Sequence, residues 1–250
     1  MLRNHECGVM RKLSSLRSYF DFLFKAERIQ SNIAALVSLP KLHEKPILYL
    51  IGEEVERLLE VASEGDGQLT ERQQKWHNLT KKRDVAILML FLGTGIRVSE
   101  CVGIDIDDLD FHLNAVLVTR KGGNQVILYF PQEVADALQA YLEERKHIET
   151  EPEHQKALFL SMQRKRITQR AVQMMVKKYW SIAVPLKKRM SPHKLRSTYG
   201  TNLYKETGDI YLVADVLGHK DVNTTKKHYA AIEEERRRMA RNAVKLREDN

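Results

Sequence analysis

Four short runs of this sequence bring together side chains whose types and spacing suit phosphoryl chemistry. In Thr94-Gly95-Ile96-Arg97-Val98-Ser99-Glu100, Arg97 follows a glycine turn at the end of an apolar helix. A guanidinium held by such rigid surroundings suits two-pronged recognition of a phosphate. Ser191-Pro192-His193-Lys194-Leu195-Arg196 reads as a helix start, with Ser191 as N-cap and Pro192 at the first helical position. His193 and Arg196 then share one face, three residues apart. In Leu217-Gly218-His219, Gly218 suits the C-cap of the preceding apolar helix, so His219 projects from a tight turn. Tyr229 follows ten residues later, in Thr224-Thr225-Lys226-Lys227-His228-Tyr229. Singly, each residue has an ordinary reading as a surface charge, a satisfied histidine or a core tyrosine with a tethered hydroxyl. Their order along one chain is what carries weight.

Elements must hold these runs in place, and the hydrophobic pattern supplies them. Residues 11–38 carry Leu16, Tyr19, Phe20, Leu23 and Phe24 at helical spacing, then a second apolar patch at Ile33 to Val37, which predicts one or two helices. Pro40 and Pro46 among charged residues read as a linker, so a main domain should begin near Ile47. A short amphipathic helix from Gly52 should lead into a polar surface loop over residues 63–82. Asp84 is then expected to cap a buried helix from Val85 to Leu92. A short helix around Val98 to Val102 comes next. Ala115 to Thr119 and Val126 to Phe130, around Gly122-Gly123-Asn124, give a hairpin. A helix from Gln132 to Arg145, a candidate third strand at Ala157 to Leu160 and further helices complete the chain. The expected fold class is mostly α with a small antiparallel β-sheet (α+β).

Charge sharpens the reading. The 250 residues carry a formal net charge of +8, and 43% hydrophobic content excludes disorder as the main theme. Residues 161–229 alone hold 15 Lys/Arg against 4 Asp/Glu, a net +11 that exceeds the whole. Such a segment could neutralise several phosphates of a nucleic acid. Thr168, Gln169 and Arg170, at a helix start, are candidate DNA contacts. Two cysteines, Cys7 and Cys101, lack ligand spacing, and no His/Cys pattern calls for zinc, so no metal is expected. No phosphate-binding glycine loop of the nucleotide-hydrolysing kind occurs. No apolar run reaches membrane-spanning length and no signal-peptide core appears, so a cytoplasmic chain is expected.

Taken in order, Thr-Gly-Ile-Arg-x-x-Glu, a hairpin lysine, His-x-Leu-Arg, Leu-Gly-His and Tyr resemble the tyrosine recombinase, or phage integrase, family from about Ile47 to Tyr229. The resemblance implies that family's catalytic-domain fold and a site-specific recombinase or integrase that cleaves and rejoins double-stranded DNA through a 3′-phosphotyrosyl intermediate, with no cofactor. It implies Tyr229 as nucleophile, Arg97 and Arg196 as clamps on the nonbridging oxygens, and His219 as a further donor. His193 would be general base to the tyrosine, and Lys121 would protonate the leaving 5′ oxygen. These roles meet physical needs: charge grows on the phosphoryl oxygens, and a hydroxyl of pKa near 10 is a weak nucleophile without a base. Arg120 and Lys194, beside these residues, join the candidate DNA contacts.

Residues 1–45 resemble the last helices of the family's core-binding domain and its linker, with the earlier part expected to be absent, and 46–250 the catalytic domain. A charged helix over 232–248 carries a narrow apolar stripe at Ile232, Met239, Ala243 and Leu246, suited to exchange between subunits of a homotetramer on DNA. The ten-residue step from His219 to Tyr229, where many members have nine, is shared with conjugative-transposon-type members and leans towards a mobile element. Two alternatives are a type IB topoisomerase-like enzyme that only relaxes DNA, and a DNA-binding protein of the same fold that does not cleave.

Overall fold

A computed structural model describes residues 6–40, 48–120, 122–187, 191–218 and 222. The chain divides into two compact units, Met1–Pro46 and Ile47–Asn250. In the first, helix α1 (Glu6–Lys25) is followed by a single 3-10 turn at Ile33–Leu36. Among the described residues of this unit, α1 is therefore the one α-helix. The second apolar patch is held as a tight turn because the Arg17 side chain donates to the carbonyls of Ala34 and Ala35, each at 3.2 Å, and to that of Val37.

The second unit is built around a long central helix. After α2 (Gly52–Glu64), α3 runs from Glu71 to Thr94, so the expected surface loop shrinks to a few residues before Thr70. The start is fixed by a reciprocal cap. The Thr70 hydroxyl accepts from the Gln73 amide at 3.4 Å while the Gln73 side chain accepts from the Thr70 amide at 2.9 Å. The polar first half of α3 lies largely on the surface, which is why it lacks apolar periodicity. Its second half buries Ile87, Leu88, Leu90 and Phe91 completely.

Asp84 lies inside α3 and caps nothing. It is buried, accepting from the Tyr179 hydroxyl at 2.9 Å and from Arg83 Nε at 2.9 Å, while Arg83 Nη1 donates to the Leu160 carbonyl at 2.8 Å. Tyr179 belongs to α6 (Gln169–Ala183), so this polar knot joins two helices and the segment ending at Leu160. Burial, with the adjacent Asp84 charge, pushes the Tyr179 hydroxyl far up and keeps it protonated as the donor.

Helix α4 (Val98–Gly103) precedes a three-stranded antiparallel sheet of order β1-β2-β3: β1 (Leu109–Asp110), β2 (Ala115–Thr119) and β3 (Gln125–Tyr129). The β2–β3 hairpin keeps its register from Ala115 opposite Tyr129 to Thr119 opposite Gln125. The third strand is thus β1. Ala157 to Leu160 is buried but forms only isolated bridges, Asp105 with Ala157 and Leu160 with Arg166. Its apolar run reflects burial against the core; its backbone bonds are shared between neighbouring main chain, as from the Leu158 amide to the Ile104 carbonyl at 3.0 Å, and side chains, with the Tyr141 hydroxyl accepting from the Leu160 amide at 3.1 Å.

Helices α5 (Gln132–Arg145), α7 (Pro192–Thr207) and α8 (Ile210–Val216) complete the unit, and α3 packs against α2, α5 and α7. The mostly α architecture with one small antiparallel sheet is as the sequence predicts. A smaller apolar cluster of Tyr204, Ile210, Val213 and Leu217, flanked by Tyr199, fixes α8 to α7. None of the described helices is long and apolar enough to cross a membrane.

Candidate functional site

Three arginines from three separate elements converge on the turn that ends α8. Arg97 is the N-cap of α4, immediately after α3 stops. The stop is Gly95, at φ +63°, where an added Cβ would lie 2.5 Å from Tyr199 and 2.9 Å from Leu217. Only glycine accepts both that backbone and that closeness, so the α3–α4 turn sits directly on α7 and on the end of α8. Glu100, one turn into α4 and buried, accepts from Arg97 twice: from Nη1 at 2.8 Å and from the main-chain amide at 2.9 Å. Held from that side, Arg97 directs Nη2 at the carbonyls of Leu217, at 3.1 Å, and Gly218, at 2.9 Å.

Arg196 reaches the same turn from α7. It is buried, and donates to the carbonyls of Gly95 and Leu217. The Leu217 carbonyl oxygen therefore receives both guanidiniums. The third arginine is Arg120, at the end of β2. Its Nη2 donates to the Val216 carbonyl at 2.8 Å, and an added Cβ on Gly218 (φ +58°) would lie 2.3 Å from its Nη1. The last carbonyls of a helix carry partial negative charge, so cations gather there readily. Guanidiniums brought together at one turn suit an anion with several oxygens, and Arg97 and Arg196 supply such a pair.

Pro192 opens α7 and Ser191 takes the N-cap position, although the Ser191 hydroxyl makes no capping bond. His193 is exposed on the first turn of α7, three residues before Arg196. Lys194 is half-buried beside it. Thr168 caps α6, its hydroxyl accepting from the Ala171 amide at 3.2 Å, and Thr168, Gln169 and Arg170 are all exposed. The structure thus joins Arg97, Arg196 and Arg120 around one turn, while the α6 start is a separate feature. Lys121, His219, Tyr229 and the tail at 232–248 lie outside the described residues.

Part of the basic segment is consumed by structure. Arg166 pairs with Asp105 and donates to the carbonyls of Val102, at 3.1 Å, and Ile104, at 3.0 Å; Lys187 donates to the Tyr49 carbonyl at 2.9 Å and pairs with Glu54. Arg164, Arg170, Lys177 and Lys178 remain exposed. Sequence reasoning gave Glu100 no role; the three-residue step from Arg97 on a helix start was the available signal. The inward turn of Arg120 had none. Among the described residues, the side chains close enough to share a metal ion are Glu151, Glu153 and His154, on a mostly exposed 3-10 turn outside this arginine cluster.

Comparison with known proteins places these features. Residues 49–236 match the family model described as the phage integrase family. The chain is 33% identical over 221 residues to a tyrosine recombinase XerC of Thermodesulfovibrio yellowstonii, covering 87% of this chain and 69% of that protein. It is 37% identical over 218 residues to the XerC of Caldanaerobacter subterraneus subsp. tengcongensis, covering 86% of this chain and 57% of that one. Among solved structures, it resembles the XerA recombinase with TM-score 0.66 and 24% identity, over 94% of this chain and 84% of that one. The Tn1549 transposon integrase in complex with circular intermediate DNA gives TM-score 0.69 and 23% identity, over 94% and 78% respectively. The fold is accordingly that of tyrosine recombinase catalytic domains.

Proposed function

Because the chain belongs to the phage integrase family of tyrosine recombinases, we propose that it is a DNA strand transferase that cleaves and rejoins double-stranded DNA at specific sites. The observation that carries this reading is the convergence of Arg97 and Arg196 on the Leu217 carbonyl. Two guanidiniums that meet at one oxygen can grip two nonbridging oxygens of a phosphodiester and stabilise the charge that builds on them. His219, the residue after Gly218, adds a donor there. The Tyr229 oxygen attacks phosphorus, His193 takes the phenolic proton, and the bond to the 5′ oxygen breaks. Lys121 gives that oxygen a proton. The 3′-phosphotyrosyl ester keeps the phosphodiester's energy, so a 5′ hydroxyl from a second duplex reverses the step without ATP, and the arginines serve without a metal.

Thr168, Gln169, Arg170 and Lys194 contact the DNA backbone in this reading. Residues 1–45 correspond to the last helices of a core-binding domain with its linker, and 46–250 to the catalytic domain. Complete exchange takes four protomers on two duplexes, linked through the helix at 232–248, and occurs in the cytoplasm on chromosomal or mobile-element DNA. That a solved neighbour is a transposon integrase, and shares the overall fold at TM-score 0.69, supports the mobile-element role.

The test begins with a nicked duplex library of randomised core, from which covalent protein–DNA adducts are captured and sequenced. Two duplexes carrying the captured site are then incubated with the chain in EDTA without nucleotide. Recombinant strands of hybrid length are the expected product. Relaxed plasmid without hybrid strands would place the enzyme with the type IB topoisomerases, and binding without any adduct would leave a DNA-binding protein.

A further inference from the structure

We propose that Arg120 is a positioning residue, tying the β2–β3 hairpin that leads into Lys121 to the end of α8; this rests on the reading above. The geometry is specific. Arg120 is the last described residue before Lys121, and it closes the hairpin with its main chain: its amide donates to the Asn124 carbonyl at 2.7 Å and its carbonyl accepts from Gly123 at 3.1 Å. Its side chain leaves the hairpin and donates to the Val216 carbonyl at 2.8 Å, with its guanidinium against Gly218. One residue thus grips two segments, each followed immediately by a residue with a proposed role: Lys121 after Arg120, and His219 after Gly218.

Its surroundings favour this over a DNA contact. Nε is buried, and the guanidinium occupies the space a Cβ would fill at Gly218, with Nη1, Cζ and Nε all within 3.0 Å of that point. A side chain so placed has little freedom to follow a DNA backbone. Hairpins are short-range structures whose tips move unless tied to the body of a domain. A general acid needs its proton within hydrogen-bond reach of the leaving oxygen, and a misplacement of about 1 Å can cost about 10²-fold in rate. A planar guanidinium fixed in a packed site supplies the required constraint, whereas lysine would offer a single mobile point charge.

The experiment compares single-turnover cleavage of the captured nicked duplex with that of the same duplex bearing sulfur in place of the leaving 5′ oxygen. A thiol is a far stronger acid than an alcohol, so the sulfur leaves without a proton from lysine. Arg120→Ala should cleave the all-oxygen duplex about 10²-fold more slowly than the unaltered protein, and the sulfur duplex within about threefold of it. Arg120→Lys, which keeps a donor for Val216, should recover part of the loss. Affinity of Arg120→Ala for a non-specific duplex, and its dependence on salt, should match the unaltered protein, which also reports that the variant is folded. Equal slowing on both duplexes would overturn the proposal. So would weaker non-specific binding with a salt slope lower by about one, the mark of a lost phosphate contact. Lys121→Ala, run in parallel, separates the two levels: if sulfur does not rescue it, the leaving-group role of Lys121 fails and this proposal with it. If sulfur rescues Lys121→Ala but not Arg120→Ala, only the positioning role fails.

Discussion

Glu100 and Gly95 do as much to define the site as the arginines themselves. Glu100 binds Arg97 at both its main-chain amide and its side chain, at 2.9 and 2.8 Å, so the guanidinium arrives at the turn with one degree of freedom fewer. Glu100→Gln keeps the size and loses the charge. Single-turnover cleavage by this variant should fall by about 10²-fold while DNA affinity changes little, because the loss is of alignment and not of a phosphate contact. Gly95→Ala attacks the same alignment from the backbone. A left-handed alanine costs about 1–2 kcal/mol before any clash. The methyl would also press on Tyr199 and Leu217, at 2.5 and 2.9 Å. We expect a lower urea midpoint together with loss of covalent adduct, and a variant of unchanged stability and full activity would contradict this view of the turn.

At the scale of elements, α3 carries the site without contributing a proposed catalytic residue. Its buried half anchors the Gly95 turn, and its polar half was illegible in the sequence because a solvent-facing helix shows no apolar period; only the Thr70 and Gln73 cap betrays it. Asp84 misled for a related reason. An aspartate before an apolar run resembles a cap, yet here it is a buried acceptor for Tyr179 and Arg83, partners that are distant or invisible to local pattern. By contrast the hairpin, α5 and the start of α7 were plain, since turn chemistry and proline position are local signals. His77, buried on α3 against the Tyr179 ring, adds a pH prediction. Burial holds its pKa below the ordinary 6.5, opposed by the Ser63 main chain and Asp84, with Lys178 and Lys81 acting in the same direction as burial. The unfolded chain therefore takes up the proton first, and stability falls as pH drops below about 6.5. His77→Leu should flatten the decline in urea midpoint between about pH 7 and pH 5; an unchanged slope would place the acid sensitivity elsewhere.

Over the whole molecule, the basic segment separates into charges that build the fold and charges that face solvent. Arg166 and Lys187 are spent on Asp105 and Glu54, whereas Arg170 stands exposed at the start of α6. Composition could locate the excess but not divide it, because the division depends on partners brought together by folding. Arg170→Ala should weaken binding to any duplex and lower the logarithmic salt slope by about one, with cleavage of bound DNA unaffected. The ordered motifs that made the family legible were clearer than any single charge, since they require several residue types at once. The proposed cleavage chemistry depends on Tyr229 as the nucleophile. The most direct measurement incubates the chain with the captured nicked duplex, resolves the products on a denaturing gel, and identifies the DNA-linked peptide by mass spectrometry. A covalent band is expected, with the nucleotide on the peptide containing Tyr229, and no band from Tyr229→Phe. A band that persists in Tyr229→Phe, or an adduct on another residue, would contradict it.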